Sequence, residues 1–235
     1  MQRTLYGLLL VLACSSANAA LLSRSGGLAY YDTATNLTWV ADANLAKTSG
    51  YDADGLMTWT QSVGWIASLN AQNAGLGYLG TNDWRLPTVT DTGTPGCNFA
   101  YTGTDCGYYV NLATGEMARM FYSTLGNTGY YNTSGVTTGC AGAPNYCLTN
   151  TGPFSNLQPR SYWSGTEYAP DTINAWAFGF HNGFQGRSNK AGGLYAWAVR
   201  PGDIAPVPIP GAVWVFGGAL TLLGAVRRRA MTALG

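Results

Sequence analysis

The segment Ala175-Trp176-Ala177-Phe178-Gly179-Phe180 places Trp176, Phe178 and Phe180 at alternate positions, with alanine or glycine between them. Successive side chains of an extended chain point to opposite faces, so the segment reads as a strand with one large-residue face. On either side, 161–164 and 194–199 read as further strands, and the last third of the chain is β. Toward the N-terminus, 28–31 and 37–40 read as two short strands around the turn Asp32-Thr33-Ala34-Thr35-Asn36. Between these regions the apolar period changes. Trp59, Val63, Ile66 and Leu69 predict a helix within 57–73, ended by Gly75 and Gly77. Met117, Phe121 and Leu125, at i, i+4 and i+8, predict a second helix over 114–125, with Gly126 as its stop. Two helices, a small antiparallel sheet and long loops predict an α+β domain.

The two ends follow other rules. Arg3, an apolar run over 5–13 and small residues through Ala20 give a charged n-region, an h-region too short for a bilayer and a small-residue exit. Ala17-Asn18-Ala19 places signal peptidase cleavage between Ala19 and Ala20, making 1–19 a signal peptide. Val11-Leu12-Ala13-Cys14 loosely resembles a lipobox, an alternative in which Cys14 is lipidated. At the other end, 211–226 is uncharged and mostly apolar and stops at Arg227, Arg228 and Arg229. With Val207, Pro208, Ile209 and Pro210 it just spans a hydrocarbon core at roughly 1.5 Å rise per residue. The arginines belong on the cytoplasmic side, which leaves the rest of the chain outside the inner membrane.

That tail, 205–235, resembles the PEP-CTERM class of sorting signals in its VPLPA-like variant. Here Val-Pro-Ile-Pro stands in place of Pro-Glu-Pro. The resemblance implies processing by an exosortase in a bacterium that makes exopolysaccharide. The protein would pass through the inner membrane and finish on the outer surface or in the extracellular matrix. Proline holds the segment extended and without an amide ladder, the form a protease cleft accepts. An ordinary membrane anchor is the alternative.

What remains, 20–204, is one domain. Removing Arg3 and the three tail arginines from the 12 bases leaves eight against 11 acids, a net charge of about −3. That balance excludes nucleic-acid binding of the usual electrostatic kind. Charged residues are 10% of the chain while Gly, Tyr, Trp, Asn, Thr and Ser abound, which suits an exported, loop-rich domain and contact with saccharides. Packing is the first expectation for any one of the eight Trp and 15 Tyr. The loops 89–112 and 127–160 hold Cys97, Cys106, Cys140 and Cys147, an even set that reads as two disulfides in an oxidising compartment. Short separations favour Cys97 with Cys106 and Cys140 with Cys147, each worth roughly 2.5–3 kcal/mol in the chain-entropy model. A zinc site of all four thiolates is the rival, without a C-x-x-C spacing to support it.

Five ordered motifs resemble the Lcl C-terminal domain family: Asp32 to Trp39, Leu56-Met57-Thr58-Trp59 with the helix after it, Asp83-Trp84-Arg85-Leu86-Pro87-Thr88, Tyr162 to Glu167, and Ala196-Trp197-Ala198-Val199-Arg200-Pro201. The resemblance spans about 28–202. It implies a C-type-lectin-like α+β fold and ligand binding at a surface.

Catalytic chemistry is sparse. His181 is the one histidine, no G-x-S-x-G surrounds a serine, and no enzyme is expected. His181 is expected at a hairpin tip. Asp52-Ala53-Asp54-Gly55 is a partial calcium loop lacking its bidentate Glu, and equally a good turn, so calcium is the one cofactor in view. Arg85 is expected to tie loop carbonyls or pair with a carboxylate. Two functions fit: a binding module for polysaccharide or another surface ligand, with adhesion as its setting, through a face around Glu167, Asp171, Asn174, His181, Asn182 and Gln185, or a structural matrix or sheath component without a discrete ligand site.

Overall fold

The computed structural model describes residues 20–93, 100–140, 142 and 144–204. The chain divides into two compact units, Met1–Asp203 and Ile204–Gly235, and every element below belongs to the first. In chain order these are β1 (Leu21–Arg24), β2 (Ala29–Asp32), β3 (Leu37–Val40), α1 (Leu45–Thr48), α2 (Trp59–Ala71), α3 (Glu116–Arg119), β4 (Ser161–Glu167), β5 (Asn174–Gly179), β6 (Phe184–Asn189) and β7 (Val199–Pro201). One antiparallel sheet has the order β1-β2-β3-β7 and the other β4-β5-β6. The domain is α+β.

Helix α2 starts where Thr58 caps it. The Thr58 hydroxyl accepts the Gln61 amide at 3.3 Å while Gln61 Oε1 accepts the Thr58 amide at 2.9 Å, a capping box. Its buried stripe is Ser62, Trp65, Ile66 and Leu69, and Val63 is 42% exposed. The expected Trp59–Val63 stripe is therefore rotated by about one residue: Trp65, a larger apolar body than Val63, takes the inward position. Near 114–125, α3 is short and passes into a π turn over 120–124, closed by Leu125 N–H donating to the Met120 carbonyl at 2.8 Å. Met117, Phe121 and Leu125 are nevertheless all buried, as the spacing requires.

Strand β5 is central, paired to β4 and β6, and all six of its residues are buried. Phe178, with Phe180 just beyond the strand, joins a core drawn from both sheets that includes Trp39, Val199 and Tyr162, while Trp176 packs in a separate cluster with Val89, Cys106 and Tyr168. Phe121, Phe178 and Phe180 meet at 5.2–5.9 Å, and Trp197 packs on Trp39 at 4.6 Å and on Phe154 at 4.7 Å. Each such phenylalanine contributes roughly 1.5–3 kcal/mol by burial. The expected strand over 194–199 is not one strand. Tyr195 exchanges bonds with Ser161 and Trp163, Ala198 accepts from Val40, and Val199 pairs with Arg85. The segment crosses from one sheet to the other, so its backbone bonds are divided among partners and only 199–201 forms a ladder.

The Asp83 to Thr88 motif is the seam of the fold. Asp83 pairs with Arg200 at 2.6 Å, and the Trp84 backbone exchanges bonds with the Asn70 amide side chain of α2 at 3.0 and 2.9 Å. Arg85 makes two 2.7 Å bonds to Glu116 at the start of α3, and Glu116 also accepts the Thr88 amide at 2.7 Å. The Pro87 carbonyl accepts the Ser164 hydroxyl and the Gly165 amide of β4, both at 2.8 Å. Arg85 thus has the structural role expected of it, in the bidentate geometry that distinguishes arginine from lysine.

Candidate functional site: the groove beneath the β5–β6 turn

The turn joining β5 to β6 is made by Phe180, His181, Asn182 and Gly183, so His181 does sit at a hairpin tip. Gly183 has φ +82°, and a Cβ on Gly179 would lie 2.5 Å from Asn182 Oδ1 and 2.9 Å from His181 Cε1. Two glycines therefore let both polar side chains fold back over the strand. Asn182 Oδ1 accepts the Phe184 amide at 3.0 Å.

Loops clamp the turn from both sides. The Tyr130 amide donates to the Asn182 carbonyl at 2.8 Å, the Cys147 amide to the His181 carbonyl at 3.0 Å, and the Tyr122 hydroxyl to the Gly183 carbonyl at 2.7 Å. Cys147 is bonded to Cys140, the expected pairing, which closes a short loop against His181. Within that loop Tyr146 is held at φ +53°, a conformation disfavoured for a bulky side chain. Its ring meets His181 edge-on at 6.4 Å, and the Arg160 guanidinium lies over it at 5.8 Å.

Three hollows line up here. One of about 240 Å³ is floored by Ala177, Gly179 and Gly186 and walled by His181, Asn182, Phe184 and Arg187. The next, of about 310 Å³, shares Ser161, His181 and Leu194 with it and adds Arg160 and Tyr195. Tyr195 is shared in turn with a third, of about 280 Å³, which includes Lys47, Asn44 and Gln158. Three bases line this groove and no carboxylate does. The ion pairs among the described residues are Arg24–Asp203, Arg85–Glu116, Lys190–Glu167 and Arg200–Asp83, so Lys47, Arg160 and Arg187 have no carboxylate partner there. The Arg187 guanidinium rests 5.3 Å over Tyr168. Burial, and secondarily the charge of Arg160, hold the His181 imidazole below its ordinary pKa, and its Nδ1 is buried without a hydrogen-bond partner.

Beside the turn lies a second surface. Gly107 exchanges two 2.9 Å bonds with Gln185 along the outer edge of β6, docking the 100–109 loop there. Gly107 has φ +139° and a Cβ there would lie 2.0 Å from the Ala100 carbonyl oxygen, so only glycine fits. This brings Tyr108 against Phe184 at 5.2 Å and Tyr131 at 5.2 Å, with Tyr101 and Tyr130 beside them. Tyr101 is 37% exposed. Burial first, then the neighbouring Tyr131, Tyr130 and Tyr101, push the Tyr108 hydroxyl above the ordinary phenol value.

The six residues expected on one face separate into two ends and a middle. His181 and Asn182 line the groove. Glu167, bound to Lys190, and Asp171, which accepts the Asn174 amide side chain at 2.9 Å, lie toward the opposite end of β5. Asn174 is buried, and Gln185, fully buried, donates to the Asp105 carbonyl at 2.7 Å. Gln185 faces the packed side because it stands opposite Phe178, so the period-2 rule puts it inward. Asp52 accepts the Asp54 and Gly55 amides and Asp54 the Leu56 amide, so both carboxylates serve as turn caps. No group of three or more His, Cys, Asp or Glu able to hold a metal occurs among the described residues.

Cys106 is disulfide-bonded, and Cys97, expected as its partner, lies outside the described residues, as do Ala19, Val207, Pro208, Ile209, Pro210, Arg227, Arg228 and Arg229. Among the described residues no helix is long and apolar enough to cross a membrane. Sequence reasoning passed over Tyr146, Arg160 and the four tyrosines. A signal was present: Arg160 is the only lysine or arginine in 120–186, and no carboxylate occurs in 117–166.

Fold and groove together define an α+β domain presenting open, linked surface hollows. The family model for the Lcl C-terminal domain matches residues 29–200, and the chain belongs to that family. No curated protein and no solved structure matches it.

Proposed function

We propose that this protein is an exported, non-enzymatic binding module of the cell envelope or extracellular matrix, and that its ligand is a polysaccharide carrying acidic groups. The observation that carries this reading is the groove beneath the β5–β6 turn. Its lining holds Lys47, Arg160 and Arg187 without a carboxylate, in a domain that is itself net acidic. A linear chain of sugars fits a row of linked hollows better than a single small molecule does, and unpaired guanidinium groups fit carboxylates on that chain. The C-type-lectin-like grouping implied by the five motifs is part of the proposal and agrees with a surface-binding role.

Export through the leader at 1–19 and sorting through 205–235 complete the proposal. The three tail arginines are costly to draw through hydrocarbon and hold the segment in register. Pro208→Ala with Pro210→Ala then blocks processing while leaving insertion intact. A glycan array probed with the tail-less domain, with and without calcium, tests the ligand. Saturable binding to acidic polysaccharides, reduced by Arg160→Ala, is expected. Absence of binding across the array favours a matrix component without a discrete site. For the tail, the C-terminal peptide of protein recovered from a host that has the protease decides: intact 227–235 on most molecules contradicts sorting.

A further inference from the structure

We infer that Tyr101, Tyr108, Tyr130 and Tyr131 form a stacking subsite for uncharged sugar rings, continuing the groove beneath the β5–β6 turn. The inference rests on reading that groove as a glycan site, and Phe184 is the physical link. Phe184 walls the hollow of about 240 Å³ and meets Tyr108 edge-on at 5.2 Å. From Tyr108 the ring contacts pass to Tyr131 at 5.2 Å and to Tyr101 at 6.3 Å, the latter nearly parallel, and Tyr131 meets Tyr130 at 4.8 Å.

Packing alone explains the rings but not their hydroxyls, because phenylalanine fills nearly the same volume without a polar group to satisfy. The adjacent tyrosines show what a structural hydroxyl does here: that of Tyr122 donates to the Gly183 carbonyl at 2.7 Å, and that of Tyr109 accepts the Gly129 amide at 3.3 Å. Among the described residues the hydroxyls of Tyr101, Tyr108, Tyr130 and Tyr131 have no such partner, and none is a buried orphan. They remain available at the surface. Rings beside free hydroxyls complement a pyranose, whose apolar C–H face stacks while its rim exchanges hydrogen bonds.

Charge separates this subsite from the groove. Residues 129–138 carry no charged side chain, and the one charge in 100–109, Asp105, accepts the Thr92 amide at 2.9 Å. The occupant is therefore an uncharged ring, such as a neutral residue of a mixed polysaccharide.

The test uses the full-length chain in mild detergent, titrated calorimetrically with cellohexaose, xylohexaose and mannohexaose, and in parallel with hexagalacturonate. At least one neutral hexaose is expected to bind saturably. Tyr101→Ala and Tyr131→Ala should each weaken it about tenfold, the scale of one aromatic stacking contact. Should an alanine variant lose its fold, Tyr101→Phe and Tyr131→Phe keep the rings and are expected to weaken binding about threefold through the lost hydroxyl alone. No binding of any neutral hexaose, or binding indifferent to every folded tyrosine variant, overturns the inference. If hexagalacturonate still binds and depends on Arg160, the groove stands without this subsite. If nothing binds, both fall.

Discussion

Residues 28–88 with 161–201 and residues 100–160 were built by different rules. The first region holds all five family motifs, and several of their polar side chains tie one motif to another: Asp83 to Arg200 at 2.6 Å, the Ser164 hydroxyl to the Pro87 carbonyl at 2.8 Å, and Trp163 Nε1 to the Met57 carbonyl at 2.7 Å. The second region holds none of the motifs. It is stapled at Cys140–Cys147, supplies Arg160 to the groove, packs Tyr146 against His181 and Arg160, and carries the tyrosine surface beside the turn. Recognisable motifs thus mark the scaffold, while the groove is lined by residues between the motifs, Lys47, His181, Asn182 and Arg187 from the first region and Arg160 from the second.

The sharpest way to break that contrast is to damage the scaffold. Trp197→Ala removes a fully buried ring that touches Trp39, Phe154, Phe180 and Tyr162. It should destabilise the domain by about 3–5 kcal/mol, read as a fall in urea midpoint. Arg85→Ala strands a mostly buried Glu116 carboxylate and should lower stability by about 1–3 kcal/mol. Smaller unfolding losses at both positions would mean that the motifs are not the scaffold.

Opening the loop region should have a different signature. Cys140→Ser with Cys147→Ser removes a short-loop crosslink worth roughly 2.5 kcal/mol in the chain-entropy model. It also frees Tyr146 and the His181 carbonyl contact. Glycan binding should therefore fall even at temperatures where circular dichroism shows the variant fully folded. Unchanged affinity would separate the disulfide from the site.

The smallest effect is the pH response of His181. Its folded pKa is lowered below the ordinary 6.5, so the unfolded chain binds more protons. The corresponding stability is present above about pH 6.5 and is lost as pH falls below it. The melting temperature should drop between pH 7.5 and pH 5, and His181→Gln should flatten that part of the curve. Asp91 titrates in a separate, lower window. Its burial opposes ionisation, but amide donors Ala169 and Gly93 and the Trp176 indole outweigh that and hold its pKa below 3.8. An identical slope in wild type and His181→Gln would refute the histidine assignment.

Legibility in the sequence followed the same division. The i, i+4, i+8 spacing of Met117, Phe121 and Leu125 reported burial faithfully, because a period records a face, whereas the alternation at 175–180 marked a strand whose two faces are both buried. Strands β1 and β6 were not visible: Phe-Gln-Gly-Arg-Ser-Asn has no alternation, since β6 needs glycine at 186 where the Phe184 ring crosses it. At the site, His181 and Asn182 were legible as a polar turn. Gln185 was misplaced because composition marks it polar while its register with Phe178 turns it inward. Arg160 was legible only by what surrounds it, a stretch without carboxylates.

The most direct test compares Arg160→Ala with Arg85→Ala in two assays on the same preparations, melting temperature and affinity for an acidic oligosaccharide. Arg160 is exposed and makes no ion pair among the described residues, so its variant should melt within about 1–2 °C of wild type, yet bind at least about tenfold more weakly. Arg85→Ala should melt several degrees lower and, while folded, bind like wild type. Equal affinities for wild type and Arg160→Ala, or a loss that tracks melting temperature in both variants, would contradict a binding groove whose charged lining is distinct from the residues that hold the fold.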